Sequence, residues 1–136
     1  MKKLSPSEKV YVKKSGIPRS GRGVFAKNKI LKGEIIENCP YIDLPPHDLE
    51  SLENTLLLTY IFFYGEKKEK ILLTLGFGSI YNHSYTPNAA YIIDQNNQTV
   101  TFTALEDIQK DEEITFNYKQ GNPKIINPLW FEIERS

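Results

Sequence analysis

An unusual density of ligand-binding side chains falls between Leu75 and Asn88, in the stretch LGFGSIYNHSYTPN. Asn82 carries an amide that both donates and accepts, His83 an imidazole, and Ser84 and Tyr85 hydroxyls. Groups of this kind can hold a small polar molecule or steer a proton. Pro87 and Asn88 favour a turn directly behind them. On chemistry alone two readings stand. The segment is a binding site, or it is a capped turn with a satisfied histidine, and the second is the commoner. A serine hydrolase built on His83 and Ser84 is excluded, because adjacent side chains in extended chain point to opposite faces and no Gly-x-Ser-x-Gly elbow is present.

Two further islands carry polar or glycine-rich chemistry. Gly21-Arg22-Gly23 closes a loop, 15–23, that holds three glycines. No Gly-Lys-Ser/Thr follows it, so it is not a P-loop, and it lacks the third glycine and helix of a dinucleotide fingerprint. As a lone GxG it reads most simply as a hairpin turn. Its glycines also allow the backbone to approach a ligand closely. The other island is Asp111-Glu112-Glu113-Ile114-Thr115-Phe116-Asn117-Tyr118, acidic at its start and aromatic at its end.

Short strands must position these islands. Val10–Lys14 and Glu34–Glu37 read as strands, with apolar Val24–Ala26 and a turn over 27–33 between them. Residues 39–46 hold three prolines and read as a loop. That loop runs into a helix over Asp48–Leu57, where Leu49, Leu52 and Leu56 are spaced to form a core face. One hairpin joins Tyr60–Tyr64 to Lys70–Thr74 through a charged tip, and a second joins Ala90–Asp94 to Thr99–Ala104 across Asn96-Asn97. A charged connector, 105–113, leads to a strand over Ile114–Tyr118 that ends in the tyrosine. Many strands, little helix and no βαβ alternation predict one mostly-β domain. Residues 1–9 are expected to be flexible.

The composition bounds the function. At 136 residues the chain has the length of one domain. Its 17 basic and 17 acidic residues cancel, so no broad attraction to nucleic acid or to a membrane is expected. Cys39 is alone and cannot form an internal disulfide. With only His47 and His83 beside it, no zinc site is expected. The longest apolar run, 56–64, is far short of the ~20 residues of a spanning helix, and no signal peptide is visible. An intracellular, soluble protein is expected.

Taken together, the three islands resemble the SET-domain protein lysine methyltransferases. Gly21-Arg22-Gly23-Val24-Phe25, then Tyr81-Asn82-His83-Ser84 with Pro87-Asn88, then Asp111–Tyr118 follow the family's order. The likeness runs from about Val10 to Tyr118 and is greatest to the small stand-alone proteins of viruses and bacteria. It implies a fold of small twisted sheets with a C-terminal pseudoknot, in which the Asn-His-Ser segment and the last tyrosine meet. The implied divisions are a flexible 1–9, a SET domain over 10–120, and a tail over 121–136 completing the active site.

The resemblance also implies an activity: methyl transfer from S-adenosylmethionine to a lysine ε-amine of a protein, without a metal. By position, Tyr118 is the catalytic tyrosine. Arg22 and Gly23 would meet the cofactor's amino-acid end through their backbone, and Asn82, His83 and Tyr118 would also contact it. Trp130, or its neighbour Phe131, is the candidate to pack over the adenine or close the channel. Tyr91 and Phe116 would line the lysine channel. Phe116 favours two or three methyls and Tyr91 a narrower bore, so the two hints oppose each other.

The expected partner is a protein or peptide with a target lysine, such as a histone or another basic protein, with no direct nucleic-acid contact. A homodimer is an expectation carried by the small viral relatives alone. The location would be cytoplasmic, or nuclear if the substrate is a host histone. Asn117 stands where the family has aspartate, and no cysteine-rich module flanks the domain. The alternative is an inactive SET fold that only binds peptides.

Overall fold

The computed structural model describes residues 3–67 and 69–119. Among the described residues, nine strands are arranged in two sheets. They are β1 (Val10–Lys14), β2 (Arg22–Ala26), β3 (Ile35–Leu44), β4 (Ile61–Tyr64), β5 (Lys70–Thr74), β6 (Asn82–His83), β7 (Ala89–Asp94), β8 (Thr99–Ala104) and β9 (Glu113–Phe116). One sheet has the order β1-β2-β9-β6 and the other β4-β5-β3-β8-β7. Both predicted hairpins form, β4 on β5 and β7 on β8. The Gly-rich loop returns β2 onto β1, with Lys14 opposite Arg22. A single apolar cluster joins the sheets: Val24 and Ile114 from the first, Ile36, Leu72, Val100 and Phe102 from the second. The expected mostly-β architecture is found.

Three elements differ from expectation, each for a local reason. The loop predicted over 39–46 is strand over 39–44, the second half of β3, and only Pro45 and Pro46 lie in the connection to the next element. Pro40 lacks an N–H and would interrupt a mid-sheet ladder. It lies where β3 exchanges partners, from β8 over Ile35–Pro40 to β5 over Tyr41–Leu44. The missing donor falls at that handover, and the Pro40 carbonyl still accepts from the Leu75 N–H at 2.9 Å.

The predicted helix over Asp48–Leu57 shrinks to α1 (Asp48–Leu52), and a 3-10 helix over Leu56–Tyr60 follows. Asn54 at φ +67° takes the chain out of the helical region between them. So short a helix cannot sustain a core-facing stripe. Leu49 and Leu52 are half-buried and Leu56 is 65% exposed, so the predicted core face does not exist.

The last strand stops at Phe116 rather than Tyr118. Asn117 turns the chain there, its Oδ1 accepting from the Lys119 N–H at 2.9 Å. Asparagine offers the backbone this local alternative to a ladder.

Candidate active site

One parallel pairing brings the second and third islands together. Asn82 lies beside Thr115 and His83 beside Phe116, and the Ser84 N–H continues the join to the Phe116 carbonyl at 3.1 Å. Tyr118 hangs from this join at two points. Its N–H donates to His83 Nδ1 at 3.0 Å, and its hydroxyl donates to the Tyr81 carbonyl at 2.6 Å. The His83 and Tyr118 rings meet at 5.2 Å. Asn88 secures the other side of β9. Its Oδ1 accepts from the Thr115 N–H at 2.9 Å and its Nδ2 donates to the Glu113 carbonyl at 2.9 Å. A side chain thereby stands in for a neighbouring strand.

The first island meets the same place. Glu113 accepts from Ser15 Oγ at 2.7 and 2.9 Å and from Asn82 Nδ2 at 2.8 Å. Asn82 Nδ2 also donates to the Arg22 carbonyl at 2.9 Å. Both amide donors of Asn82 are thus committed within the protein, and its Oδ1 is what the amide offers a ligand. Gly23 fits under this clamp because it has no side chain. A Cβ there would stand 2.3 Å from Glu113 Oε2 and 3.0 Å from Asn82 Nδ2. The space that a side chain at position 23 would need is taken by the protein's own carboxylate.

Tyr118 touches two environments. One is a cleft of about 590 Å³, which it lines with Arg19, Arg22, Asn82 and His83 and with Leu56, Leu57 and Ile80. The other is an aromatic cluster. Phe116 lies 5.0 Å from Tyr118, 5.5 Å from Tyr91 and 5.8 Å from Phe62, and Phe62 meets Tyr91 edge-on at 5.0 Å. Burial pushes the Tyr91 hydroxyl up to about 12, as expected of a group that apolar surroundings keep neutral. A tyrosine hydroxyl fixed where a polar cleft meets an apolar aromatic cluster can align a reactant bound in that cleft.

The model of the SET domain family matches residues 21–119. The chain belongs to the SET-domain family. Its relatives include the histone-lysine N-methyltransferase specific for H3 lysine 37 of Schizosaccharomyces pombe (strain 972 / ATCC 24843), 33% identical over 119 residues. That match covers 87% of this chain and 75% of the relative. A crystal structure of a candidate histone methyltransferase from Plasmodium falciparum is 34% identical with a TM-score of 0.59. It covers 81% of this chain and 96% of that one. At the level of fold alone, the Chaetomium thermophilum polycomb repressive complex 2, in an autoinhibited conformation bound to S-adenosylmethionine, has a TM-score of 0.64 at 23% identity. It covers 96% of this chain and 17% of that one. Family and relative together make this SET domain a protein-lysine N-methyltransferase.

Of the residues singled out in the sequence, Arg22, Gly23, Asn82, His83, Tyr91, Phe116 and Tyr118 lie within this one region of the SET domain. Trp130 and Phe131 fall outside the described residues. Sequence reasoning missed Phe62, Ser15 and the role of Glu113 as the clamp's centre. It also missed Leu56 and Leu57 as cleft lining, having assigned Leu56 to a buried helix face. Phe62 had a signal, one of four aromatics in the run 60–64. Ser15 had none, since only the fold brings it 98 residues along the chain to Glu113.

Proposed function

We propose that this SET domain transfers a methyl group from S-adenosylmethionine to the ε-amine of a lysine in a basic protein, a histone tail foremost. The observation that carries the reading is the double hold on Tyr118, which lines a mixed polar cleft and packs against an aromatic cluster. The cleft fits the cofactor by size, since small-molecule sites span about 300–1,000 Å³. It fits by chemistry as well. Arg19 and Arg22 suit a carboxylate, Asn82 Oδ1 suits an ammonium, and Leu56, Leu57 and Ile80 suit a flat apolar ring. When bound, S-adenosylmethionine supplies a methyl group activated by a sulfonium sulfur.

The chain's own residues would do the rest. A lysine amine with an ordinary pKa of ~10.4 must shed its proton before it attacks. Phe62, Tyr91 and Phe116 form an apolar surround that disfavours the ammonium. The Tyr118 hydroxyl, held by the Tyr81 carbonyl, would orient the amine and meet charge as it moves. The histone assignment is supported by the fission-yeast relative's specificity for H3 lysine 37, and it implies work in the nucleus.

Calorimetric titration with S-adenosylmethionine, run beside labelled methyl transfer to histones, tests the reading. The expected result is binding plus transfer, with Tyr118→Phe still binding the cofactor but slowed by ~10²-fold or more. Cofactor binding that leaves every histone unlabelled would overturn the substrate assignment. Absence of cofactor binding would overturn the cleft assignment.

A further inference from the structure

A carboxylate is buried beneath the site and takes no part in the chemistry above. Glu37 is 6% exposed, and no lysine or arginine among the described residues pairs with it. Its inward position comes from an irregularity in β3, whose register with β8 shifts between Ile35 and Glu37. Ile36 and Glu37 are consequently both buried, where a regular strand would have sent one of them outward. Burying a lone carboxylate is costly unless hydrogen bonds satisfy it. Glu37 Oε1 accepts from the Tyr81 hydroxyl at 2.7 Å and Oε2 from the Phe77 N–H at 3.1 Å. Gly76, at φ +63°, passes so close that a Cβ there would stand 2.9 Å from Oε2. The carboxylate thus grips both ends of the segment 77–81.

That segment ends at the residue whose carbonyl holds Tyr118. Tyr81 is 1% exposed, with its ring stacked on Phe102 at 4.5 Å, and its carbonyl accepts the Tyr118 hydroxyl at 2.6 Å. The ring fixes where Tyr81 lies in the core, and Glu37 fixes how far the residue reaches along it. We propose that Glu37 is a positioning residue for methyl transfer, acting through the Tyr81 hydroxyl to set the carbonyl that aligns the Tyr118 hydroxyl. This rests on the reading of Tyr118 as the catalytic tyrosine.

The test compares the kinetics of Tyr81→Phe, Glu37→Gln, Tyr118→Phe and the double variant Tyr81→Phe/Tyr118→Phe, using a histone substrate the wild-type protein methylates. Tyr81→Phe keeps the ring and the carbonyl and removes only the donor to Glu37. Misplacement of a reacting group is felt in kcat, so Tyr81→Phe should lower kcat about tenfold or more, with KM and cofactor affinity changed by less than about twofold. Glu37→Gln should lower kcat in the same direction. The double variant should be no slower than Tyr118→Phe, because the carbonyl acts only through that hydroxyl.

Two results would overturn the proposal while leaving Tyr118 catalytic. One is wild-type kcat in both Tyr81→Phe and Glu37→Gln with only a lower melting temperature. The other is a double variant slowed by the product of the single effects. Wild-type kcat in Tyr118→Phe would instead remove the reading beneath it. If Glu37→Gln does not fold, Tyr81→Phe decides the matter alone.

Discussion

Gly23 is where one residue's identity governs the site most directly. Its backbone lies in an ordinary extended strand opposite Lys13, so no unusual torsion demands glycine there. What demands it is the Glu113 carboxylate, 2.3 Å from where a Cβ would be. Gly23→Ala should push that carboxylate away from Ser15 and Asn82, at a cost of about 1–3 kcal/mol by overpacking. Thermal melting should report the loss, and cofactor affinity should fall with it because Asn82 would lose its anchor. The motif Gly-Arg-Gly was legible in the sequence, but its reason was not. A carboxylate 90 positions later fills the space, and nothing local announces it.

At the level of elements, β9 is held on both sides by unequal partners. On one side β2 makes an antiparallel pair, and on the other stand the two residues of β6 and the side chain of Asn88. Asn88→Ala would leave the buried Thr115 N–H and the Glu113 carbonyl without that partner, costing about 1–3 kcal/mol. Asn88→Asp should do no better. It keeps the acceptor for Thr115, yet turns a second oxygen toward the Glu113 carbonyl and the Glu112 carboxylate. Urea denaturation of both variants should show midpoints lowered alike, and a wild-type midpoint for Asn88→Asp would refute the account. Strands whose residues alternate or cluster as β-formers were legible, as β1, β4, β5, β7 and β8 attest. The helix was not, because three leucines at helical spacing carry no information on where Asn54 interrupts them. The second half of β3 was hidden by Pro40, since a sequence does not reveal the one point at which a central strand dispenses with an N–H.

The molecule as a whole stores buried hydroxyls. Burial is the first cause of the raised values of Tyr41, Tyr81 and Tyr91, with the charges of Asp43 and Glu37 adding at Tyr41 and Tyr81 respectively. Burial, then the Glu37 charge, likewise pushes up the Cys39 thiol. Each group ionises more readily in the unfolded chain than in the folded one. The tyrosines' contribution is therefore complete below their ordinary pKa of ~10 and the thiol's below ~8.5, and each is lost as pH climbs through the folded value. Stability should hold to about pH 8 and fall as pH rises beyond it, steeply above about 10, with the Tyr91 share lost by about 12. Tyr91→Phe should fall less steeply, as denaturation midpoints measured along the pH scale would reveal. An equal slope in the variant would mean that the Tyr91 hydroxyl is solvated. The meeting of three distant islands became legible only through a family likeness. Composition and periodicity predict strands, but not that β6 and β9, with a whole hairpin between them, lie side by side.

β9 has only four residues, yet it presents two separate surfaces. The Glu113 side chain faces the clamp, whereas Ile114 and Phe116 face the core, where Phe116 meets Phe62 and Tyr91. The two-residue period of a strand insulates these duties from each other. Descendants of this chain can exchange the residue at position 116, repacking the aromatic cluster, while the Glu113 anchorage on the reverse side is inherited intact. A single short strand thus lets one property diversify and keeps the other under constraint.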